Sequence, residues 1–179
     1  MEGSYKPVVI CDLDGTLVRE NTMRLQLGQA VRDSKVNILR LTLCLFRGKV
    51  QFKKKLTELA PTLDHDPVPN PEVVRLLEEY RKENHKIYLV SASEHQIVSH
   101  LGAKLFHFDG IIGSTDVNIK GKAKADLLVR IFGAGGFMYV GDSDSDIHVW
   151  RSASFGIAVS PSAKTLTKIK NELLNVRTL

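Results

Sequence analysis

Two carboxylates stand two residues apart in the run Asp12-Leu13-Asp14-Gly15-Thr16, directly after the apolar, β-branched stretch Val8-Val9-Ile10. In an extended chain, residues i and i+2 share a face, so both aspartates point the same way at a strand end. A carboxylate can attack phosphorus and form an acyl phosphate, splitting hydrolysis into two easier steps. A second carboxylate can protonate the leaving oxygen and then deprotonate the attacking water. Asp12 and Asp14 are therefore the candidate nucleophile and general acid/base. The plainer alternative is a solvated Asp-Gly turn.

A second acidic run, Gly141-Asp142-Ser143-Asp144-Ser145-Asp146, follows the apolar stretch Phe137 to Val140. Hard carboxylate oxygens suit Mg²⁺, which usually takes one or two protein carboxylates beside phosphate and water. Asp142, at the strand end, is the expected ligand. Asp146 supports the nucleophile region or coordinates through water, and Asp144 reads as part of a polar loop capping the next helix. Ser91 ends another apolar run, Ile87 to Val90. Its hydroxyl can donate to a phosphoryl oxygen, and so can the backbone amides that follow, beginning with Ala92. Lys122 and Lys124 stand where a helix begins, a position the helix dipole makes unfavourable for cations. Either can neutralise a nucleophile and a transferred phosphoryl group, or be an ordinary solvated lysine.

Strands must hold these residues. Apolar runs at Val8 to Asp12, Lys86 to Ser91, Gly110 to Gly113, Phe137 to Val140 and Phe155 to Val159 predict five strands. Between them lie helical patterns at Pro71 to Glu83, Glu94 to Leu101, Lys122 to Phe132 and Ile147 to Ser152, with a basic helix from Pro161 onward. Asn70 suits the cap of the first and Pro71 its first position. Such alternation predicts an α/β fold, a Rossmann-like parallel sheet with helices on both faces. In open parallel sheets ligands bind beyond the carboxyl ends of the strands, where Asp12, Ser91 and Asp142 all fall. Asn21 to Ala60 has helical spacing with few breakers and predicts two or three helices.

The 179 residues suit one domain with a small insertion, and 43% hydrophobic with 25% charged residues is ordinary for a globular chain. Cys11 and Cys44 cannot form a disulfide framework, which predicts a reduced, cytoplasmic protein. Met1 to Lys6 is polar, no signal core is visible, and no stretch approaches the length of a membrane-spanning helix. The net charge of +5 permits anionic partners without requiring nucleic acid. That charge is uneven: from Arg19 to Ala60, ten lysines and arginines face three acids. The asymmetry marks a distinct module.

Taken in order, Asp12-Leu13-Asp14-Gly15-Thr16, Leu89-Val90-Ser91, Lys124-Ala125-Asp126-Leu127-Leu128 and Gly141-Asp142-Ser143-Asp144-Ser145-Asp146 resemble the haloacid dehalogenase superfamily from about Val8 to Val159. The resemblance implies that Asp12 is the nucleophile and Asp14 the acid/base. It implies Mg²⁺ held by the Asp12 carboxylate, the Asp14 backbone carbonyl and Asp142, with Ser91 and Lys124 binding the phosphoryl group. Lys124 is preferred to Lys122 because the family lysine commonly stands three residues before an apolar pair, here Leu127-Leu128. Dehalogenases of the superfamily lack the second aspartate, so Asp14 implies phosphate esters. The phosphonatase alternative, which needs a lysine in the inserted module, is disfavoured. The expected division is a core of residues 1–18 and 69–179 and a small helical cap, 19–68, inserted after the first strand.

Phosphoserine phosphatases are similar in size and order, but the acid they place for the substrate amine falls here on Asn21, beside Glu20. A closer resemblance is to the HAD-like domain fused before UbiA-type membrane prenyltransferases, carried by Leu43-Cys44-Leu45-Phe46-Arg47-Gly48, Asn118 to Ala125 and Gly141 to Arg151. It implies a small or lipid-linked phosphorylated substrate and peripheral association with a membrane or a membrane enzyme. The apolar, basic segment from Val36 to Lys55 can lie against a membrane, or simply be a core helix. The rival reading is a non-catalytic or regulatory domain partnering such a prenyltransferase.

Overall fold

The computed structural model describes residues 6–34, 36–173 and 175–179. The polar start Met1 to Tyr5, and Lys35 of the basic count, lie outside the described residues. Six parallel strands form one sheet: β1 (Val8–Cys11), β2 (Ile87–Glu94), β3 (Gly110–Ser114), β4 (Phe137–Gly141), β5 (Phe155–Ala158) and β6 (Val176–Thr178), in the spatial order β3-β2-β1-β4-β5-β6. The central strand β1 pairs Ile10 with Tyr88 on one side and with Tyr139 on the other.

Alternation along β1 sends its side chains into two cores. Val9 and Cys11 pack with Val73, Leu77, Ile97 and Leu101 from α4 (Pro71–Lys82) and α5 (His95–Leu105). Ile10 packs on the opposite face with Leu128, Trp150 and Ile169 from α6 (Lys122–Phe132), α7 (Ile147–Trp150) and α8 (Ala163–Glu172). Asn70 caps α4 by accepting from the Glu72 N–H, and Pro71 occupies its first turn.

Between β1 and α4 stand α1 (Thr22–Asp33), α2 (Val36–Phe46) and α3 (Lys49–Leu59), with a small core of Ala30, Leu41, Leu56 and Ala60. The two crossings of the chain are paired, since Val18 bridges Pro69 and the Asn70 N–H donates to Leu17 O at 2.7 Å. Only Asn37 and Leu41 of α2 are buried, so most of its apolar residues face outward.

Two elements differ from expectation. The C-terminal helix ends at Glu172 and gives way to β6, three residues that extend the sheet beside β5. β2 runs past Ser91 to Glu94, with a shift of register against β3 between Val90 and Glu94. That irregularity carries Ser91, Ala92 and Ser93 to the edge where β1 and β4 also end.

Candidate active site

Segments at the carboxyl ends of β1, β2, β3 and β4 meet under the inserted helices, around a cavity of about 440 Å³. Asp12, Asp14, Ser91, Ala92, Lys124 and Asp142 all line it. The structure therefore brings together every sequence-predicted site residue except Asp146, which lies directly behind.

Asp12 is buried at the end of β1. Its Oδ1 accepts from the Leu13 N–H at 2.9 Å and lies 3.0 Å from Lys124 Nζ, whereas no donor reaches Oδ2 among the described residues. One oxygen is thus anchored and the other left open. Burial raises the Asp12 carboxyl to about 6; Lys124 works against that rise and Asp146 adds to it.

Lys124 is held in the first turn of α6, only 3% exposed. Burial alone lowers an ammonium, but Asp12 and Asp146 outweigh it and hold Lys124 above its ordinary value. Its Nζ also donates to the Tyr139 hydroxyl at 2.8 Å, which in turn donates to Asp146 Oδ1 at 2.8 Å. Lys122, the other candidate, is solvent-exposed and pairs with Asp126 one turn along the helix.

Asp14 has both oxygens occupied on the cavity wall. The Thr22 N–H donates to Oδ1 at 2.5 Å and Ser93 Oγ donates to Oδ2 at 2.7 Å. Ser91 Oγ accepts from the Ser93 N–H at 3.1 Å, which leaves its hydroxyl hydrogen free to donate.

Asp142, Asp12 and Asp146 each offer a carboxylate oxygen, all within 4.8 Å of one another. Burial raises the Asp142 carboxyl to about 7, with Asp146 and Asp12 adding to the rise. Asp146 is already committed. It accepts from Tyr139, from the Ser143 N–H and hydroxyl, and from the Asp142 N–H. Asp12 and Asp142 remain, a pair of hard oxygen donors whose mutual repulsion a divalent cation relieves. Gly15 makes room for this: its φ is +78°, and a Cβ there would come 2.3 Å from Asp142 Oδ2. The donor set thus fits Mg²⁺.

Asp144 faces away. It accepts from Thr165 and Lys168 of α8, and those donors lower it to about 2. It ties the acidic loop to α8, in keeping with a loop residue.

Tyr139, Ser93 and Lys53 are among the residues at the site that were not predicted from sequence. Tyr139 reads as a core aromatic inside Phe137-Met138-Tyr139-Val140, and only its hydroxyl reveals the Lys124–Asp146 bridge. Ser93 was missed because β2 was expected to stop at Ser91. Lys53 sits in a run of three lysines that looks solvated, yet its Nζ donates to Ala92 O at 2.5 Å and to Asn118 Oδ1 at 2.6 Å.

An open carboxylate at the end of the central strand of a parallel sheet, backed by a buried lysine and a second acidic loop, defines a class of hydrolase. Residues 6–153 match the family model described as haloacid dehalogenase-like hydrolase, and the chain belongs to that family. The relative "Uncharacterized protein y4nM" of Sinorhizobium fredii (strain NBRC 101917 / NGR234) is 31% identical over 173 residues. That match covers 96% of this chain but 33% of the relative, so the chain spans about a third of the length of the curated relative it matches.

Solved structures share the fold. A protein with unknown function from Bordetella pertussis Tohama I superposes with a TM-score of 0.71 at 13% identity, covering 97% of this chain and 98% of that one. A substrate-bound phosphoserine phosphatase gives 0.62 at 18%, covering 91% and 90%. A phospho-aspartyl intermediate analogue of phosphoserine phosphatase gives 0.62 at 18%, covering 92% and 91%.

Proposed function

We propose that this chain is a Mg²⁺-dependent phosphatase that hydrolyses phosphate monoesters through a phosphorylated Asp12. The observation that carries the reading is the asymmetry of the Asp12 carboxylate. Oδ1 is pinned by the Leu13 N–H and Lys124, while Oδ2 is open to a cavity that Asp14 and Asp142 also line. That a structural neighbour of the same fold was captured as a phospho-aspartyl intermediate analogue is in keeping with it.

Asp12 Oδ2 attacks the phosphorus, and the bond from phosphorus to the ester oxygen breaks. Asp14, protonated at this stage, gives its proton to the departing alkoxide. Water then attacks the acyl phosphate. Asp14 takes the proton of that water, the bond to Asp12 breaks, and inorganic phosphate leaves with the carboxylate restored. Lys124, the Ser91 hydroxyl and the Ala92 amide face the charge that builds on the phosphoryl oxygens. Asp12, Asp142 and the Asp14 carbonyl would hold Mg²⁺, which supplies charge neutralisation at the phosphoryl group and an anchor for its orientation. Asp146 holds the Asp142 loop in place through its bonds to Ser143.

Turnover of p-nitrophenyl phosphate with and without Mg²⁺ tests the reading. The wild type releases p-nitrophenol only with the metal, and Asp12→Asn is inactive. Full activity in Asp12→Asn, or no activity with any divalent metal, removes it.

A further inference from the structure

Resting on that phosphatase reading, we propose that the organic part of the substrate carries a second anionic group, received by Lys49, Lys53 and Lys120. Beyond the phosphoryl end, the cavity wall is made by Met23, Leu45, Phe52 and these three lysines. Lys49, Phe52 and Lys53 stand at helical spacing on α3, so they present one face to the cavity. Lys120 comes from the loop before α6. Lys49 and Lys120 both lie near enough to disfavour charge on Lys53, which burial lowers first and Lys120 next, with Asp14 of the reaction centre acting the other way.

None of these lysines has a carboxylate partner among the described residues. Lys53 is held by neutral acceptors, Ala92 O and Asn118 Oδ1, while its neighbour Lys54 has found Asp116. Every carboxylate that lines the cavity, Asp12, Asp14 and Asp142, belongs to the reaction centre. A cationic amine on the substrate finds no counter-charge here: Asn21 lines the wall, and its side chain caps α1 by accepting from the Arg24 N–H. Like charges left converging on an open, partly apolar cavity favour an anion with some hydrocarbon between it and the phosphate.

Calorimetric titration of the full chain in MgCl₂ tests the subsite without requiring turnover. The probes are methylphosphonate, 2-aminoethylphosphonate and the carboxylated series from phosphonoacetate to 4-phosphonobutyrate. At least one carboxylated phosphonate binds about 10-fold or more tighter than methylphosphonate, the gain of a charge-assisted contact. The aminophosphonate binds no tighter than methylphosphonate. In the double variant Lys49→Met, Lys120→Met the ratio collapses to about twofold. Equal affinities across the panel, preference for the amine, or a ratio that survives the double variant overturns the proposal. Loss of the phosphatase reading shows separately, as absent turnover of p-nitrophenyl phosphate alongside an intact binding ratio.

α2 carries its apolar side outward. Val36, Leu39, Leu43 and Phe46 lie on one face at 58%, 64%, 56% and 87% exposure, the reverse of an ordinary surface helix. Arg40 and Arg47 flank that stripe without carboxylate partners among the described residues, and α2 contains no acid. We infer that this face docks on an anionic lipid surface, its apolar residues entering the interface and its arginines meeting the headgroups. A second copy packed face to face brings the arginine flanks of both copies to the same interface. Leu45, next to Phe46, lines the catalytic cavity, so the docked face adjoins the site. Co-sedimentation with phosphatidylcholine vesicles, with and without phosphatidylglycerol, tests this. The chain pellets with the anionic vesicles only, less so in high salt, and Leu39→Glu, Phe46→Glu abolishes it. No binding, or a dimer in solution that the same substitutions dissociate, overturns it.

Discussion

Lys124 Nζ lies 3.0 Å from Asp12 Oδ1, with both side chains inside the protein. Removing one member of a buried pair leaves the other uncompensated and costs about 3–5 kcal/mol. Lys124→Met therefore lowers the urea midpoint of the metal-free protein, and Asp12→Asn in the same chain restores most of it. Turnover of p-nitrophenyl phosphate falls about 10²–10³-fold in Lys124→Met, the loss of one preorganised donor at a developing charge. Lys122→Met, at an exposed helical pair, changes stability by under about 1 kcal/mol.

Tyr139 acts through others. Its hydroxyl joins Lys124 to Asp146, and Asp146 in turn holds Ser143 and the Asp142 amide. Tyr139→Phe keeps the packing against Trp150 and removes only that link. The Mg²⁺ concentration at half-maximal activity rises about 10-fold or more, as for other residues behind a metal ligand. A merely structural tyrosine leaves that concentration unmoved.

Asp12 and Asp142 are raised to about 6 and about 7 by burial and by neighbouring carboxylates. Their unfolded values lie near 3.8, so between pH 4 and 7 the folded state holds more protons than the unfolded one. The contribution of these two groups to stability falls as pH rises through that window. In EDTA, the melting temperature declines from pH 5 to pH 7.5. Mg²⁺ displaces those protons and raises the melting temperature more at pH 7.5 than at pH 5. Asp142→Asn flattens both trends. Differential scanning calorimetry at the two pH values, with and without metal, reads all of this.

Residues at the ends of apolar strands were legible in the sequence because a hydrophobic run that stops at an acid or a hydroxyl exposes its own boundary. Asp12, Ser91 and Asp142 are of that kind. Five of the six strands were legible for the same reason, while the alternation that sends Val9 and Ile10 to opposite cores appears only in the structure. Tyr139 was hidden because burial of its ring and use of its hydroxyl are both compatible with a strand pattern. Lys53 was hidden by its neighbours, since Lys54 and Lys55 do pair at the surface. β6 was hidden because Val176-Arg177-Thr178 has no periodicity of its own and is a strand only by virtue of the edge of β5.

The account turns on whether phosphate is transferred to Asp12. Single-turnover mixing with a phosphate monoester, acid quench and peptide mass mapping measures this directly. The wild type carries a transient phosphoryl group on the peptide containing Asp12. In Asp14→Asn, activated esters such as p-nitrophenyl phosphate still phosphorylate Asp12, and the group persists about 10²–10⁴-fold longer because water is no longer deprotonated. Turnover in both proteins without a phosphoryl group at Asp12 contradicts the account.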